Sequence, residues 1–144
     1  MKLRTARPED AQPCTQILRE WIDETPWFPN LHSRASTVAF MAEKIDAGEV
    51  TISACSGGFI AADETYVSCL YVARAARGRG LGRALLDTAK ARSRHLKLWT
   101  FQANQGAQRF YLREGFVEAR RTDGAENDEN LPDIEYIWQA GGAK

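Results

Sequence analysis

Three glycines at alternate positions, Gly78, Gly80 and Gly82, lie between a predicted strand and a predicted helix. Glycine allows a tight turn and lets the backbone approach a ligand that a Cβ would hold away. The amide N–H groups at the start of the following helix are free to bind an anion, which the helix dipole also favours. Four arginines surround this point: Arg74, Arg77, Arg79 and Arg83. The pattern predicts a site for a pyrophosphate group.

Two well-known phosphate loops do not match this segment. A Walker A loop ends in Gly-Lys-Ser/Thr, and the dinucleotide fingerprint places its third glycine three residues after the second, with an acid about 20 residues further on. The residues that do match, Arg77-x-x-Gly80-x-Gly82, resemble the Gln/Arg-x-x-Gly-x-Gly/Ala motif of the Gcn5-related N-acetyltransferases (GNAT), in which the loop holds the pyrophosphate of coenzyme A. The simpler alternative is a glycine-rich turn with solvated arginines.

A second segment resembles the next motif of the same family, Asn-x-x-Ala-x-x-Phe-Tyr-x-x-x-Gly-Phe, at every defined position from Asn104 to Phe116. Asn104 is placed to cap a helix, and Gly115 is placed to end it in the left-handed conformation. The resemblance implies that Asn104 and Phe110 contact the cofactor, and that Tyr111 protonates the departing thiolate. The alternative for Tyr111 is a core aromatic residue whose hydroxyl bonds to the backbone.

Length and composition predict one domain spanning residues 1–144. The chain is 44% hydrophobic and 26% charged, which is typical of a globular protein in water. It has no apolar run long enough to span a membrane and no apolar signal-peptide core near its first residues. We therefore expect a cytoplasmic protein with no membrane partner.

The three cysteines, Cys14, Cys55 and Cys69, are widely separated and odd in number. They fit neither a disulfide framework nor a zinc site, so we expect no metal. Cys14 in a helix and Cys69 in a strand are predicted to be small buried hydrophobic residues. With only two histidines in the chain, a thiol hydrolase is a weak alternative.

Charge is segregated although the net charge is zero. From Arg74 to Lys97 there are eight Lys or Arg against one acid, and from Glu118 to Glu135 there are seven acids against two arginines. Two solvated surfaces would explain this, but the basic part also suits the phosphates of coenzyme A, and the acidic part suits a cationic acceptor. The acidic half disfavours a role on nucleic acid, including RNA modification.

Hydrophobic periodicity and turn residues predict an α/β (α+β) fold. The predicted strands span residues 2–6, 49–54, 58–62, 66–72, 96–101, 116–122 and 134–138. The predicted helices span residues 8–24 and 33–47, the stretch from the glycine loop to residue 93, and residues 104–114. The GNAT resemblance covers nearly this whole order, and implies a mixed, mostly antiparallel sheet of about seven strands that splits in a V between the fourth and fifth strands.

The resemblance also implies where acetyl-CoA binds. Its pantetheine arm would pair with the strand backbone of Leu70, Tyr71 and Val72. Its pyrophosphate would lie on the loop residues Arg77, Gly78, Arg79, Gly80, Leu81, Gly82 and Arg83. The reaction implied is direct transfer of the acetyl group to a primary amine of a small molecule or peptide.

The acceptor side is less specified. Residues expected to contact the acceptor are Trp27, His32, Trp99 and Glu135. In several members of the family a glutamate five residues before the motif asparagine accepts the amine proton, but Trp99 occupies that position. Trp99 cannot accept that proton, so the candidates for the base are Glu135, His32 and Tyr71. A coenzyme-A-binding sensor or interaction module with weak catalysis is therefore the alternative function, and a homodimer is a possible assembly.

Overall fold

The computed structural model describes residues 2–141, and within that range seven strands and four α-helices follow one another. The strands are β1 (Leu3–Thr5), β2 (Val50–Ser53), β3 (Gly58–Ala62), β4 (Val67–Val72), β5 (His95–Phe101), β6 (Val117–Thr122) and β7 (Asp133–Gln139). The helices are α1 (Ala11–Asp23), α2 (Arg34–Asp46), α3 (Leu81–Ala91) and α4 (Gln105–Arg113).

The strands form two antiparallel sheets, in the orders β1-β2-β3-β4 and β5-β7-β6. The sheets meet at a parallel bridge between Tyr66 and Lys97, where the amide of Lys97 donates to the carbonyl of Thr65 at 2.9 Å. Beyond the bridge, β4 and β5 diverge into separate sheets. The predicted fold, with its split between the fourth and fifth strands, is confirmed.

The buried apolar side chains form two clusters. Strand β3 contributes to both, because its side chains alternate between the two faces of the first sheet. Phe59 and Ala61 pack in the cluster formed with α1 and α2, and Ile60 and Ala62 pack in the cluster formed with α3 and α4. The second cluster extends across both sheets, through Leu85 of α3 and other fully buried side chains. These include Leu86, Leu96, Phe116, Ile134 and Tyr136.

The first helix begins later than predicted, at Ala11 rather than Pro8. Residues Pro8–Asp10 form a 3₁₀ turn instead, with the amide of Asp10 donating to the carbonyl of Arg7 at 2.8 Å. The Asp10 carboxylate accepts a hydrogen bond from the amide of Arg7 (2.7 Å) and two from the guanidinium of Arg4 (2.7 and 3.0 Å). These bonds hold the turn in place before the helix starts.

The two predicted buried cysteines differ. Cys14 is fully buried in α1, as predicted. Cys69 is only half-buried, because the neighbouring β5 diverges from β4 and leaves its side chain beside the gap. Burial nonetheless raises the pKa of the Cys69 thiol to about 12.

None of the helices within residues 2–141 is both long enough and apolar enough to cross a bilayer.

Candidate active site

The glycine loop ends at the start of α3, where Gly80 is the N-cap residue. Gly78 and Gly80 have φ angles of +79° and +81°, which side chains rarely adopt. A Cβ at either position would meet no neighbouring atom within 4 Å, so the backbone conformation alone requires glycine here. No side chain caps α3, and its first amide groups therefore remain available to an anion.

A cavity of about 230 Å³ lies at this helix start. Two arginines expected to bind the pyrophosphate, Arg77 and Arg83, line it together with Phe110 and with Arg113, which the sequence analysis did not select. Gly82 leaves room beside the Phe110 ring, since a Cβ at Gly82 would lie 3.5 Å from that ring. Helical spacing is the sequence signal that could have identified Arg113, because it lies three residues after Phe110 and so on the same face of α4.

The positive charge of the loop is partly neutralised. The guanidinium groups of Arg74 and Arg77 both reach the Glu24 carboxylate at the end of α1, at 2.7 and 2.6 Å, and Arg77 also donates to the carbonyl of Val72 at 2.9 Å. Burial raises the pKa of Glu24, but hydrogen bonds from Arg77 and Arg74 outweigh burial and lower the pKa overall. Glu24 therefore compensates part of the positive charge that these two arginines bring to the loop.

Arg83 and Arg79 differ in their surroundings. Arg83 lies 3.7 Å from the buried carboxylate of Glu114, which Arg113 approaches at 3.5 Å. Arg79 instead lines a separate, mainly apolar cavity with Lys2 on the other side of the loop. The predicted phosphate-binding arginines are thus divided between two cavities.

The gap between β4 and β5 forms a narrow cleft of about 90 Å³. Leu70 and Tyr71 of β4 line one side, and residues 98–101 of β5 line the other. One edge of β4 pairs with β3, with Tyr71 opposite Phe59, while the edge facing the cleft has no strand beside it past Tyr66 within the described residues. An extended ligand could therefore hydrogen-bond to that edge as an added strand.

Tyr111 of α4 reaches the floor of the cleft. Its side chain is buried against Phe110, Phe116 and Tyr136, at ring-centroid distances of 5.1, 5.4 and 6.4 Å. The hydroxyl makes no hydrogen bond to any of residues 2–141, in contrast to the alternative of a hydroxyl held by the backbone. Burial is the main cause that raises the pKa of Tyr111, so the hydroxyl keeps its proton at neutral pH.

Asn104 lies at the N-cap of α4, as its sequence position predicts. Its side-chain carbonyl accepts a hydrogen bond from the amide of Ala107 at 3.0 Å. Both residues also line the cleft. Because the oxygen is occupied by the cap, the Asn104 amide NH₂ is the group that can contact a ligand.

An aromatic cluster forms the wall at one end of the cleft. Trp21 of α1 and Phe101 of β5 line the cleft, and Trp27 and Phe28 pack against both, at centroid distances of 5.0–5.9 Å. Trp21 also lies 5.3 Å from the Tyr71 ring. Trp27 thus forms part of the wall through its packing. The sequence analysis did not select Trp21 as a site residue, because its helical spacing also suits a core residue.

His32 does not join this cluster. Its side chain is exposed, as is that of the neighbouring Leu31. The carbonyl of His32 accepts a hydrogen bond from Arg19 of α1 at 2.7 Å, which ties this end of the α1–α2 loop to the helix. Of the two predicted acceptor residues in this loop, Trp27 therefore packs in the aromatic cluster, and His32 lies outside it.

A larger open cavity of about 450 Å³ continues from the cleft on the side of the β6–β7 loop. The two cavities share Trp99, Thr100 and Phe101 of β5. Four carboxylates line the larger cavity, and Arg120 is its one lining cation among the described residues. These carboxylates belong to Asp123, Glu126, Glu129 and Asp133. A cavity of this composition favours a cationic ligand.

Trp99 and Glu135 lie opposite each other in the register of β5 and β7. Glu135 is buried, with its carboxylate 3.4 Å from the ammonium of Lys97 and 3.2 Å from the guanidinium of Arg120. Arg120 also lies over the Trp99 ring, 5.1 Å from its centroid. Both carboxylate oxygens of Glu135 are thus engaged by cations, so this geometry argues against Glu135 as the base.

The β6–β7 loop is held by its own polar contacts. Asn127 bonds to the backbone of Leu131 at 2.8 and 3.2 Å and to the Asp133 carboxylate at 3.1 Å. Thr122 donates a short hydrogen bond to Asp133. At Gly124 (φ +83°) a Cβ would lie 2.3 Å from the backbone of Leu131, so only glycine fits. The loop therefore presents its acids from a defined conformation.

The part of the chain that the structure describes brings no three His, Cys, Asp or Glu side chains together as metal ligands.

Comparisons with known proteins agree with this architecture. The model of the "Acetyltransferase (GNAT) family" matches residues 3–116. A 5-NmdU N-acetyltransferase of Pseudomonas phage PaMx11 is 31% identical over 130 residues, which are 86% of this chain and 92% of the relative. The peptidyl-lysine N-acetyltransferase YiaC of Escherichia coli K12 is 38% identical over 60 residues, 41% of each chain.

A solved structure shares the fold. YncA of Salmonella typhimurium, determined with its cofactor acetyl-CoA, superimposes with a TM-score of 0.76, covering 96% of this chain and 93% of YncA at 19% identity. The family match spans both motifs and most of the chain. This chain is a member of the GNAT acetyltransferase family.

Proposed function

We propose that this protein transfers an acetyl group from acetyl-CoA directly to a primary amine of a small molecule or peptide. The observation that carries the proposal is the Tyr111 hydroxyl, which has no hydrogen-bond partner within residues 2–141 and belongs to a side chain that lines the cleft between β4 and β5. A proton donor in that position would protonate the departing thiolate and so assist its release.

The residues at the start of α3 suit the diphosphate of the cofactor. The uncapped helix start offers backbone N–H groups, and Arg77, Arg83 and Arg113 line the cavity beside it. The free edge of β4 at Leu70, Tyr71 and Val72 would hold the pantetheine arm, and the Asn104 amide would donate to it. Family membership and the acetyl-CoA in YncA support the same assignment.

Acetyl-CoA supplies an activated acetyl thioester. A backbone N–H of β4 would stabilise negative charge that develops on the carbonyl oxygen. Tyr111 would then donate its proton to the sulfur as the thioester bond breaks.

The acceptor would enter from the cavity beside the β6–β7 loop. This cavity joins the cleft at Trp99 and Phe101, and its acids suit an ammonium group. Two relatives carry amine acceptors in their names, 5-NmdU and peptidyl-lysine. Both are therefore suitable probes, alongside simple aliphatic and aromatic amines.

The test is turnover with acetyl-CoA and a panel of amines: 5-NmdU, a lysine-containing peptide, spermidine and phenethylamine. We expect thiol release with at least one of them, and an acetylated product of the corresponding mass. The control is Gly80→Val, which forces a β-branched side chain into the left-handed region and should abolish cofactor binding. Binding of acetyl-CoA without turnover of any amine would contradict the proposal and favour the sensor alternative.

A further inference from the structure

Acetyl transfer to an amine requires a group that accepts the proton of the acceptor ammonium, because a simple amine is mostly protonated at neutral pH. Trp99 occupies the position of the glutamate that does this in several relatives, and an indole cannot accept a proton. Glu135 is held by Lys97 and Arg120. Burial strongly raises the pKa of Tyr71, so its hydroxyl stays protonated. His32 is exposed and lines neither the cleft nor the larger cavity, so the residues named so far leave the reaction without a base.

Glu129 of the β6–β7 loop differs in burial or in contacts from each of the other three acids that line this cavity: Glu126, which also makes no hydrogen bond or ion pair with residues 2–141, is exposed. The Glu129 side chain is half-buried, lines the cavity, and makes no hydrogen bond or ion pair with residues 2–141. Asp123, in contrast, accepts a hydrogen bond from the amide of Ala125 at 2.9 Å, and Asp133 accepts hydrogen bonds from its neighbours. Glu129 is therefore a carboxylate in a built cavity whose oxygens are available to a ligand.

The cavity that Glu129 lines meets the cleft at Trp99, Thr100 and Phe101 of β5, because these three residues line both. Tyr111 lines the cleft. The Glu129 carboxylate thus lies in the cavity that opens onto the cleft, on the route by which the acceptor would enter.

We propose that Glu129 binds the acceptor ammonium and accepts its proton, a role that rests on the proposed function. The N–H bond breaks, the proton goes to the Glu129 carboxylate, and the nitrogen lone pair forms the bond to the acetyl carbon as the C–S bond breaks. Two protons leave the nitrogen in all. The first passes through Glu129 to water. The second goes to the Tyr111 phenolate and replaces the proton that Tyr111 has given to the sulfur.

Several charged or titratable groups face Glu129 across the cavity and set the environment of its carboxylate. They come from the loop, from β6 and β7, and from the residue before β4: Asp123, Glu126, Asp133, Arg120 and Tyr66.

The test compares Glu129→Gln with Asp128→Asn, a change at an exposed acid of the same loop that does not line the cavity. For the best amine of the panel, kcat/KM is measured from neutral pH to pH ~10, near the pKa of a simple amine. We expect Glu129→Gln to lose about 10²-fold at pH 7, with the loss shrinking as pH rises, because the amine then arrives deprotonated. Asp128→Asn should match the wild-type protein, and Glu129→Asp should recover part of the rate.

An equal loss at every pH would assign Glu129 to binding alone and overturn its role as proton acceptor. Wild-type rates in Glu129→Gln, or the same loss in Asp128→Asn, would also overturn it while leaving the proposed function intact. An absence of turnover in the wild-type protein at every pH would contradict the proposed function and this role with it.

Discussion

Replacing Tyr111 by phenylalanine separates chemistry from packing. The hydroxyl has no hydrogen-bond partner among residues 2–141, so its removal breaks no bond, while the ring contacts to Phe110, Phe116 and Tyr136 remain. We therefore expect a change in the free energy of unfolding of no more than ~0.5 kcal/mol, as for substitutions that disturb no packing. General acid groups contribute typically ~10² to 10⁴-fold, and a coenzyme A thiolate can leave unprotonated, so kcat should fall by about 10²-fold.

The assay is single-turnover acetyl transfer with detection of the free thiol, because product release then does not limit the rate. The matched control is Tyr136→Phe, which removes a hydroxyl from another buried tyrosine of the same cluster, 6.4 Å away between ring centroids. Tyr136→Phe should transfer acetyl at the wild-type rate. An unchanged rate in Tyr111→Phe, with the acetyl-CoA affinity also unchanged, would make Tyr111 a packing residue and refute the reasoning.

Three further predictions concern the loops and the fold. Acetyl-CoA at 100 times its Kd should stabilise the protein by about 2.7 kcal/mol, measured as a rise in Tm, and Gly80→Val should remove that rise; a rise that survives would place the cofactor elsewhere. Gly124→Ala should raise the acceptor KM but not the acetyl-CoA KM, because its Cβ would meet the Leu131 backbone at 2.3 Å; equal changes in both constants would contradict this. Hydrogen bonds from Arg4 lower the pKa of Asp10, so the stability that Asp10 contributes is present above pH ~4 and lost as pH falls through its lowered pKa. Denaturant unfolding should therefore show Asp10→Asn to be about 1–3 kcal/mol less stable at pH 7, with the difference disappearing at low pH; a difference independent of pH would contradict the ion pair.

Local signals predicted the parts of the site that depend on neighbouring residues. The glycine spacing predicts the left-handed turn at Gly78 and Gly80, and the Asn104 cap and the Gly115 stop (φ +93°) follow from helix-end preferences. Such features depend on only a few consecutive residues, because each of the hydrogen bonds involved joins residues that are close together in the sequence.

Contacts between distant segments could not be predicted in this way. Arg77 pairs with Glu24 across more than fifty residues, and that pairing decides how much of its charge faces the loop cavity. The half-exposure of Cys69 depends on the divergence of β5 from β4. The conformation that brings Glu129 to the cavity depends on the close approach of Gly124 to Leu131. Periodicity and residue type carry no signal for these three arrangements.

The central claim is direct acetyl transfer in the cleft between β4 and β5, and its most direct test follows both products in one reaction. Wild-type protein is mixed with acetyl-CoA, with and without an amine of the panel, and free thiol, acetylated amine and intact protein mass are measured together. We predict one thiol released for each amine acetylated, no thiol release without the amine, and an unchanged protein mass. Thiol release without amine, with a protein mass increased by one acetyl group, would contradict direct transfer.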